Sequence, residues 1–221
     1  APWLTIDSDP FPSMVDGRIV WVIDGYTTSN SYPNSTSLDW TTAISDSRTA
    51  ADRLLLGQQV NYVRNSVKAT VDAYDGTVKL YQWDEEDPVL ETWSKVFPGV
   101  ITPKDEISPD LLAHLRYPQD LFKAQREILG RYHTTNPGTW YQQSDVWQVP
   151  TDPIRGTDQR QKQPPYFLTI RWPGDETPAY SNTTVFVPKD RENLSVYLAV
   201  NADATSEHYG RMRVLKLSDE E

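Results

Sequence analysis

The chain contains no cysteine. That removes disulfides, thiolate nucleophiles and cysteine-based metal sites together. It does not fix the compartment. Histidine is scarce, with three in 221 residues. His114, His133 and His208 have no partner at helical metal-ligating spacing, and there is no H-E-x-x-H. The sequence therefore points to no metal and no cofactor. The nucleophile-elbow pattern G-x-S-x-G is missing, as are both glycine-rich phosphate-cradling patterns. No catalytic residue can be named on these grounds. No apolar run reaches the roughly 18 residues that a membrane-spanning helix needs. An initiator methionine and a signal peptide are also missing, so the start at Ala1-Pro2-Trp3 reads as that of an excised piece.

Basic charge is the minority. Lys and Arg number 21 against 31 Asp and Glu, for a net charge of −10. The imbalance sits in the first half, where residues 1–110 carry 8 basic and 17 acidic side chains. Such a chain repels phosphate backbones, which argues against a nucleic-acid partner.

What is present in quantity is aromatic surface. Eight Trp and twelve Tyr offset a hydrophobic fraction of 38% and a mean hydropathy of −0.61. Each aromatic can bury about 150–250 Å². A chain of this length can hide roughly 70% of its unfolded surface. The expectation is a folded unit and not a disordered one. Trp21, Tyr26, Tyr32, Trp40, Tyr117, Trp140, Tyr141 and Trp147 fall near loops and element ends, where they serve either packing or binding.

The patterning predicts strands, then helices, then strands. Residues 17–24 follow the turn former Asp16-Gly17 and read as a buried strand, with 3–6 as a partner; Pro10 and Pro12 interrupt the connection. Residues 27–37 read as loop, and a short helix is placed at 48–56. From 66 to 81 apolar and polar residues alternate around Asp75-Gly76. This predicts a hairpin with a two-residue turn and the Val67, Ala69, Val71 face buried. Asp87-Pro88, Ser108-Pro109 and Pro118 start three helices. Their inward faces are placed at Val89, Leu90, Trp93, Val96 and Phe97, then Leu111, Leu112 and Leu115. The third presents Leu121, Phe122, Ile128, Leu129 and Tyr132. After a polar loop at 150–164 come four strand-like runs at 166–172, 183–187, 194–201 and 212–217. The fold class is α+β, with mainly antiparallel sheet and a helical segment inserted between N-terminal and C-terminal strands. Residues 1–221 form a single unit, divisible into sub-units 1–149 and 165–217.

Several strings are specific. WVIDGYTTS at 21–29, NYVRNSVKATVDAYDG at 61–76, HLRYPQDLF at 114–122, WQVP at 147–150 and PPY at 164–166 resemble an uncharacterised bacterial membrane-protein family. It is numbered 0182 and is common in actinobacteria. The resemblance runs from about residue 3 to 217. It implies several N-terminal transmembrane helices followed by a large extracytoplasmic region, of which this chain would be part. That family has no established reaction, so no catalytic residue carries over.

The resulting expectation is a non-enzymatic extracytoplasmic interaction module of a multi-pass membrane protein. Its partners would be the transmembrane part of the same parent, with an envelope polymer or protein as a further partner. The candidate binding residues are Asp24, Tyr26, Arg64, Asn65, Arg116, Tyr117 and Asp120, all within the quoted strings. Each also reads as a cap, a turn or one half of an internal Arg–Asp pair. The alternative is a cell-envelope hydrolase. It would need two carboxylates about 5–10 Å apart in a cleft, drawn from Asp7, Asp9, Asp16, Asp24 and Asp120. Asp84, Glu85, Glu86 and Asp87 could draw a hard cation but lack EF-hand spacing.

Overall fold

The computed structural model describes residues 3–47, 59–152, 161–189, 191 and 193–217. The helix expected at 48–56 lies outside these residues.

Strands β1 (Thr5–Ile6), β2 (Phe11–Val15) and β3 (Arg18–Ser29) open the fold. Asp16 and Gly17 both take positive φ, 49° and 77°, so β2 and β3 close as a two-residue hairpin with Val15 opposite Arg18. Pro12 lies inside β2. A proline there is tolerated because β2 is an edge strand, with β3 its only partner among the described residues. The expected interruption is thus a paired strand. β3 also continues through Thr27–Ser29, which were expected to be loop, because they pair with Arg64–Tyr62 of β6 (Tyr62–Asp72).

β7 (Val78–Gln82) completes the second hairpin. Its turn is longer than the expected two residues. Asp72 N–H donates to Thr77 O at 2.9 Å, and the Asp72 carboxylate accepts from the N–H groups of Tyr74 and Asp75. Gly76 closes the turn at φ 74°. β8 (Ile101–Thr102) pairs parallel to β7, and among the described residues every other strand pairing is antiparallel. β4 (Leu38–Asp39) and β5 (Gln59–Val60) form a small separate pair; β4 leads into α1 (Trp40–Ala43) and β5 into β6.

The middle of the chain is helical, as expected. α2 (Pro88–Val96) is capped by Asp87, which accepts from the N–H groups of Val89 and Leu90. α3 (Pro109–His114) is capped by Ser108. α4 (Gln119–Tyr132) and α5 (Pro137–Gln142) follow. The second sheet is an antiparallel meander of β10 (Tyr166–Ile170), β11 (Ala179–Pro188), β12 (Val196–Asn201) and β13 (Met212–Lys216), with β9 (Trp147–Gln148) beside β11. The fold is α+β with mainly antiparallel sheets.

Three expected faces are corrected. On α2 only Leu90 is buried; Val96 and Phe97 are exposed, and Trp93 stacks between Trp3 and Phe97. On α4 the buried residues are Asp120, Phe122, Lys123, Ala124, Arg126 and Gly130, while Ile128 and Tyr132 are exposed. The reason is that α4 is enclosed on several sides. Phe122 packs with Phe186, Leu198 and Val200 of the second sheet, whereas Ala124 packs with Tyr26, Trp40 and Ile44.

The third correction concerns the β6–β7 hairpin. The structure buries Ser66, Lys68 and Thr70, the polar side of the alternation. That side shares its face with Val22 and Tyr81, which pack on Leu111 and Leu115 around α3. Only Val67 of the apolar side is buried. Cross-strand register aligns Met14 with Ile19, Pro12 with Trp21, Trp21 with Val71, and Val71 with Val78. These residues form one apolar outer face. Met14 is 63% exposed, Val78 58%, Trp21 43% and Ile19 40%.

Candidate functional site

A bulge organises the centre of the first sheet. Gly25 pairs with Val67 and Tyr26 pairs with Asn65, so Ser66 is an extra residue in β6. In a regular strand, residues 65 and 68 would point to opposite faces. The bulge puts both beside Asp24. Asn65 donates to the Asp24 carboxylate at 3.0 Å, and Lys68 Nζ lies 2.5 Å from the same oxygen. Lys68 also donates to Arg116 O at 2.8 Å, which ties the sheet to the segment leading into α4.

The N-terminus of α4 completes the cluster. Its cap residue is Pro118, which has no side-chain acceptor. The segment after β1 supplies one instead. Asp7 accepts from Asp120 N–H at 3.0 Å, from Asp9 N–H at 2.8 Å and from the Tyr26 hydroxyl. Leu121 N–H donates to the Tyr26 oxygen at 3.3 Å. In return, Asp120 accepts from Ser8 N–H at 2.8 Å and the Ser8 hydroxyl at 2.9 Å, and it pairs with Lys123 at 3.1 Å. This is a capping exchange made between distant parts of the chain.

Asp7, Asp24, Tyr26, Lys68, Asp120 and Lys123 are each at most 5% exposed. Three carboxylates face two ammonium groups. Burial, then the Asp120 and Asp24 carboxylates, push the Asp7 carboxyl up to about 7. Burial, then the Asp7, Asp24 and Asp120 carboxylates, hold the Tyr26 hydroxyl well above its usual range. A buried charge set of this kind is costly unless it is fully bonded, and breaking one partner out of it is costlier still. Among the described residues no set of side chains is arranged to hold a metal ion.

A groove of about 470 Å³ opens beside the cluster. Its wall holds Asn65, Trp83, Tyr117 and Tyr209, and its rim holds Arg64, Asp84 and Lys104. Trp83 and Tyr209 meet edge to face at 5.4 Å, and Tyr209 lies 5.5 Å from Tyr117. Tyr209 donates to Arg116 O at 3.3 Å, and Tyr117 donates to Gln125 at 2.8 Å. Burial raises the Tyr117 hydroxyl to about 12. Lys104 Nζ sits 4.7 Å above the Trp83 ring, while Arg64 grips Asp84 through two nitrogens at 2.5 and 3.0 Å. Asn65 Oδ1 is buried in the groove wall without a hydrogen-bond partner.

The residues singled out in the sequence fall in this one region. Asp24, Tyr26, Asn65 and Asp120 are in the buried cluster, and Arg64 and Tyr117 line the groove. Arg116 lies behind both. It pairs with Asp9 at 2.7 Å and lies over Phe11 at 3.7 Å and Phe167 at 4.5 Å, one ring from each sheet. Among the hydrolase carboxylates, Asp7, Asp24 and Asp120 come together. Asp9 pairs with Arg116. Asp16 instead pairs with the α3 cap, accepting from Ser108 and bonding Asp110 through its N–H. Sequence reading missed Lys68 and Lys123. Lys68 was read as a solvent-facing residue of an alternating strand, and the alternation does not say which of its two faces the core covers; the bulge, which brings Asn65 to the same side, has no sequence signature. Asp87, in the acidic run, is a fully bonded cap. It accepts from the hydroxyls of Thr27, Tyr62 and Ser66 as well as from α2.

Comparison with known proteins adds relatives but no activity. The profile described as "Uncharacterised protein family (UPF0182)" matches residues 1–221. A UPF0182 protein of Thermobifida fusca is 60% identical over 220 residues, which is 98% of this chain and 22% of that protein. One from Streptomyces coelicolor is 54% identical, with the same coverage. Another, from Tropheryma whipplei, is 47% identical over 100% of this chain and 26% of its own length. The chain thus spans about a quarter or less of the curated relatives it matches. No solved structure matches it. With a full-length profile match and relatives at this level of identity, the chain belongs to the uncharacterised protein family UPF0182.

Proposed function

We infer that this region is a non-enzymatic interaction module. It is carried on the extracytoplasmic side of a multi-pass membrane protein and docks onto the rest of that same polypeptide. The observation that carries this reading is the apolar outer face of the first sheet. A contiguous exposed patch of this kind marks a contact surface in a soluble protein.

Magnitudes select the occupant. Covering the exposed fractions of Met14, Ile19, Trp21 and Val78 would contribute on the order of 4 kcal/mol. Association of free molecules costs about 4–15 kcal/mol in lost rigid-body freedom. The patch is therefore too small to hold a separate protein by itself. A tethered segment of the same chain pays much less of that cost, because its effective concentration is high. The relatives, several times longer than this chain, have such segments to offer.

The hydrolytic reading ranks second. Its best carboxylates, Asp7 and Asp120, accept hydrogen bonds from the fold itself and have almost no exposure.

Photo-crosslinking in a full-length parent protein tests the docking. A crosslinking residue at Trp21 or Val78 should capture another part of the same polypeptide. The same residue at Tyr141, which is 84% exposed, should not. Equal capture at all three positions would contradict the proposal.

A further inference from the structure

A second cavity, of about 580 Å³, lies at the C-terminal half of α4, between α5, residues 146–149 and the end of β11. Its size is that of a small-molecule site. Its charge runs against the rest of the molecule. Arg126, Arg131, Lys162 and Lys189 line it, with Glu127 as the one lining acid among the described residues. With the buried Asp46 that pairs with Arg126 counted as well, this is a local excess of two positive charges in a chain of net charge −10. Trp140, Trp147 and Phe186 supply an apolar wall.

Glu127 is already engaged, by Lys162 at 3.0 Å and Arg131 at 3.5 Å. The buried member is Arg126, whose side chain is 1% exposed. One terminal nitrogen lies 2.7 Å from Asp46, and the other donates to Gln163 O at 3.3 Å and Thr184 Oγ1 at 3.4 Å. Its Nε has no hydrogen-bond partner. A buried cationic donor left unpaired is costly, and an oxyanion is the acceptor that suits a guanidinium best.

We propose that this cavity binds an organic phosphate, with the phosphate among the four cations and the apolar body against the tryptophan wall. The site is independent of the docking face. It needs no chemistry beyond binding.

Titration calorimetry of the 221-residue chain tests it, with 1-naphthyl phosphate, 1-naphthol and inorganic phosphate as probes. Naphthyl phosphate should bind more tightly than either fragment, and its affinity should fall as salt rises. Arg126 is tied to Asp46, so replacing it risks the fold. The variant of choice is therefore Arg131→Glu with Lys189→Glu, both at exposed positions. It should weaken naphthyl phosphate binding by about tenfold or more while the circular dichroism spectrum and melting temperature stay unchanged. Naphthyl phosphate binding no tighter than 1-naphthol would overturn the proposal. So would undiminished affinity in the folded double variant. A competition arm identifies the source of the phosphate. Displacement by phosphatidylcholine vesicles containing phosphatidic acid supports a lipid headgroup as the ligand, and retention supports a soluble one.

Discussion

Lys68 shows what a single residue contributes here. Its ammonium is the only cation paired with Asp24 among the described residues, and both groups are buried. Replacing it by Met leaves a buried carboxylate with Asn65 as its remaining side-chain donor. We expect Lys68→Met to cost about 3–5 kcal/mol in chemical denaturation. Lys68→Met combined with Asp24→Leu should recover most of that loss, because the uncompensated charge is then gone. A single variant within about 0.5 kcal/mol of the parent would contradict this account. Asp7 gives the pH dependence. Its carboxyl sits at about 7 in the fold against 3.8 ordinarily, so the folded state binds this proton more tightly. The stability it contributes is complete below about pH 4 and is lost as pH rises toward 7. Asp7→Asn should flatten that part of the stability-versus-pH curve. A curve of unchanged slope between pH 4 and 7 would show that Asp7 is not the titrating group. Asp24, Tyr26, Asn65 and Asp120 stood out in the sequence because they lie in distinctive strings. Lys68, although in the same string as Asn65, and Lys123 did not, because a lysine inside a regular pattern reads as solvent-facing until the face that the core covers and the enclosure of α4 are known.

Among the elements, α4 joins the two sheets, and its fit depends on one glycine. A Cβ on Gly130 would stand 2.6 Å from Trp147 O. Alanine favours a helix over glycine by about 1 kcal/mol. Contact with a backbone oxygen outweighs that gain, since the chain at Trp147 must move. Gly130→Ala should therefore destabilise by about 1–3 kcal/mol in thermal or denaturant unfolding. A stabilised variant would mean that α4 and β9 are less tightly apposed than described. Element positions were largely legible. Asp87-Pro88 and Ser108-Pro109 announce α2 and α3 through local capping chemistry, and the four runs after 165 announce the second sheet. Element faces were less so. Leu121, Ile128 and Tyr132 made an apolar stripe on α4, yet the helix buries Asp120, Lys123 and Arg126. Periodicity reveals which side is apolar, but it cannot show that a helix is surrounded or that its charges meet partners more than a hundred residues away.

At the scale of the whole molecule, the first sheet is turned with its charged side inward and much of its apolar side outward. Sequence alternation correctly found two faces on the β6–β7 hairpin, but the usual rule of burying the apolar one gave the wrong side. On the proposed docking, the missing information is a surface that lies beyond these residues. If that surface exists, the outer face contributes little to the stability of this chain alone. Met14→Gln with Val78→Thr should leave its unfolding free energy within about 1 kcal/mol, each substitution being at a position more than half exposed. In a full-length parent the same pair should loosen the docking.

The natural lack of cysteine allows the most direct measurement. A single Val78→Cys substitution creates the only thiol in the 221-residue chain. Its rate of maleimide labelling can be compared between that chain in solution and a full-length parent, with Tyr141→Cys as the control. The account predicts rapid labelling of Cys at position 78 in the isolated chain and strong protection in the parent, with position 141 labelled in both. Equal labelling at position 78 in the two settings would contradict the docking face. Protection already in the isolated chain would contradict the orientation of the hairpin itself.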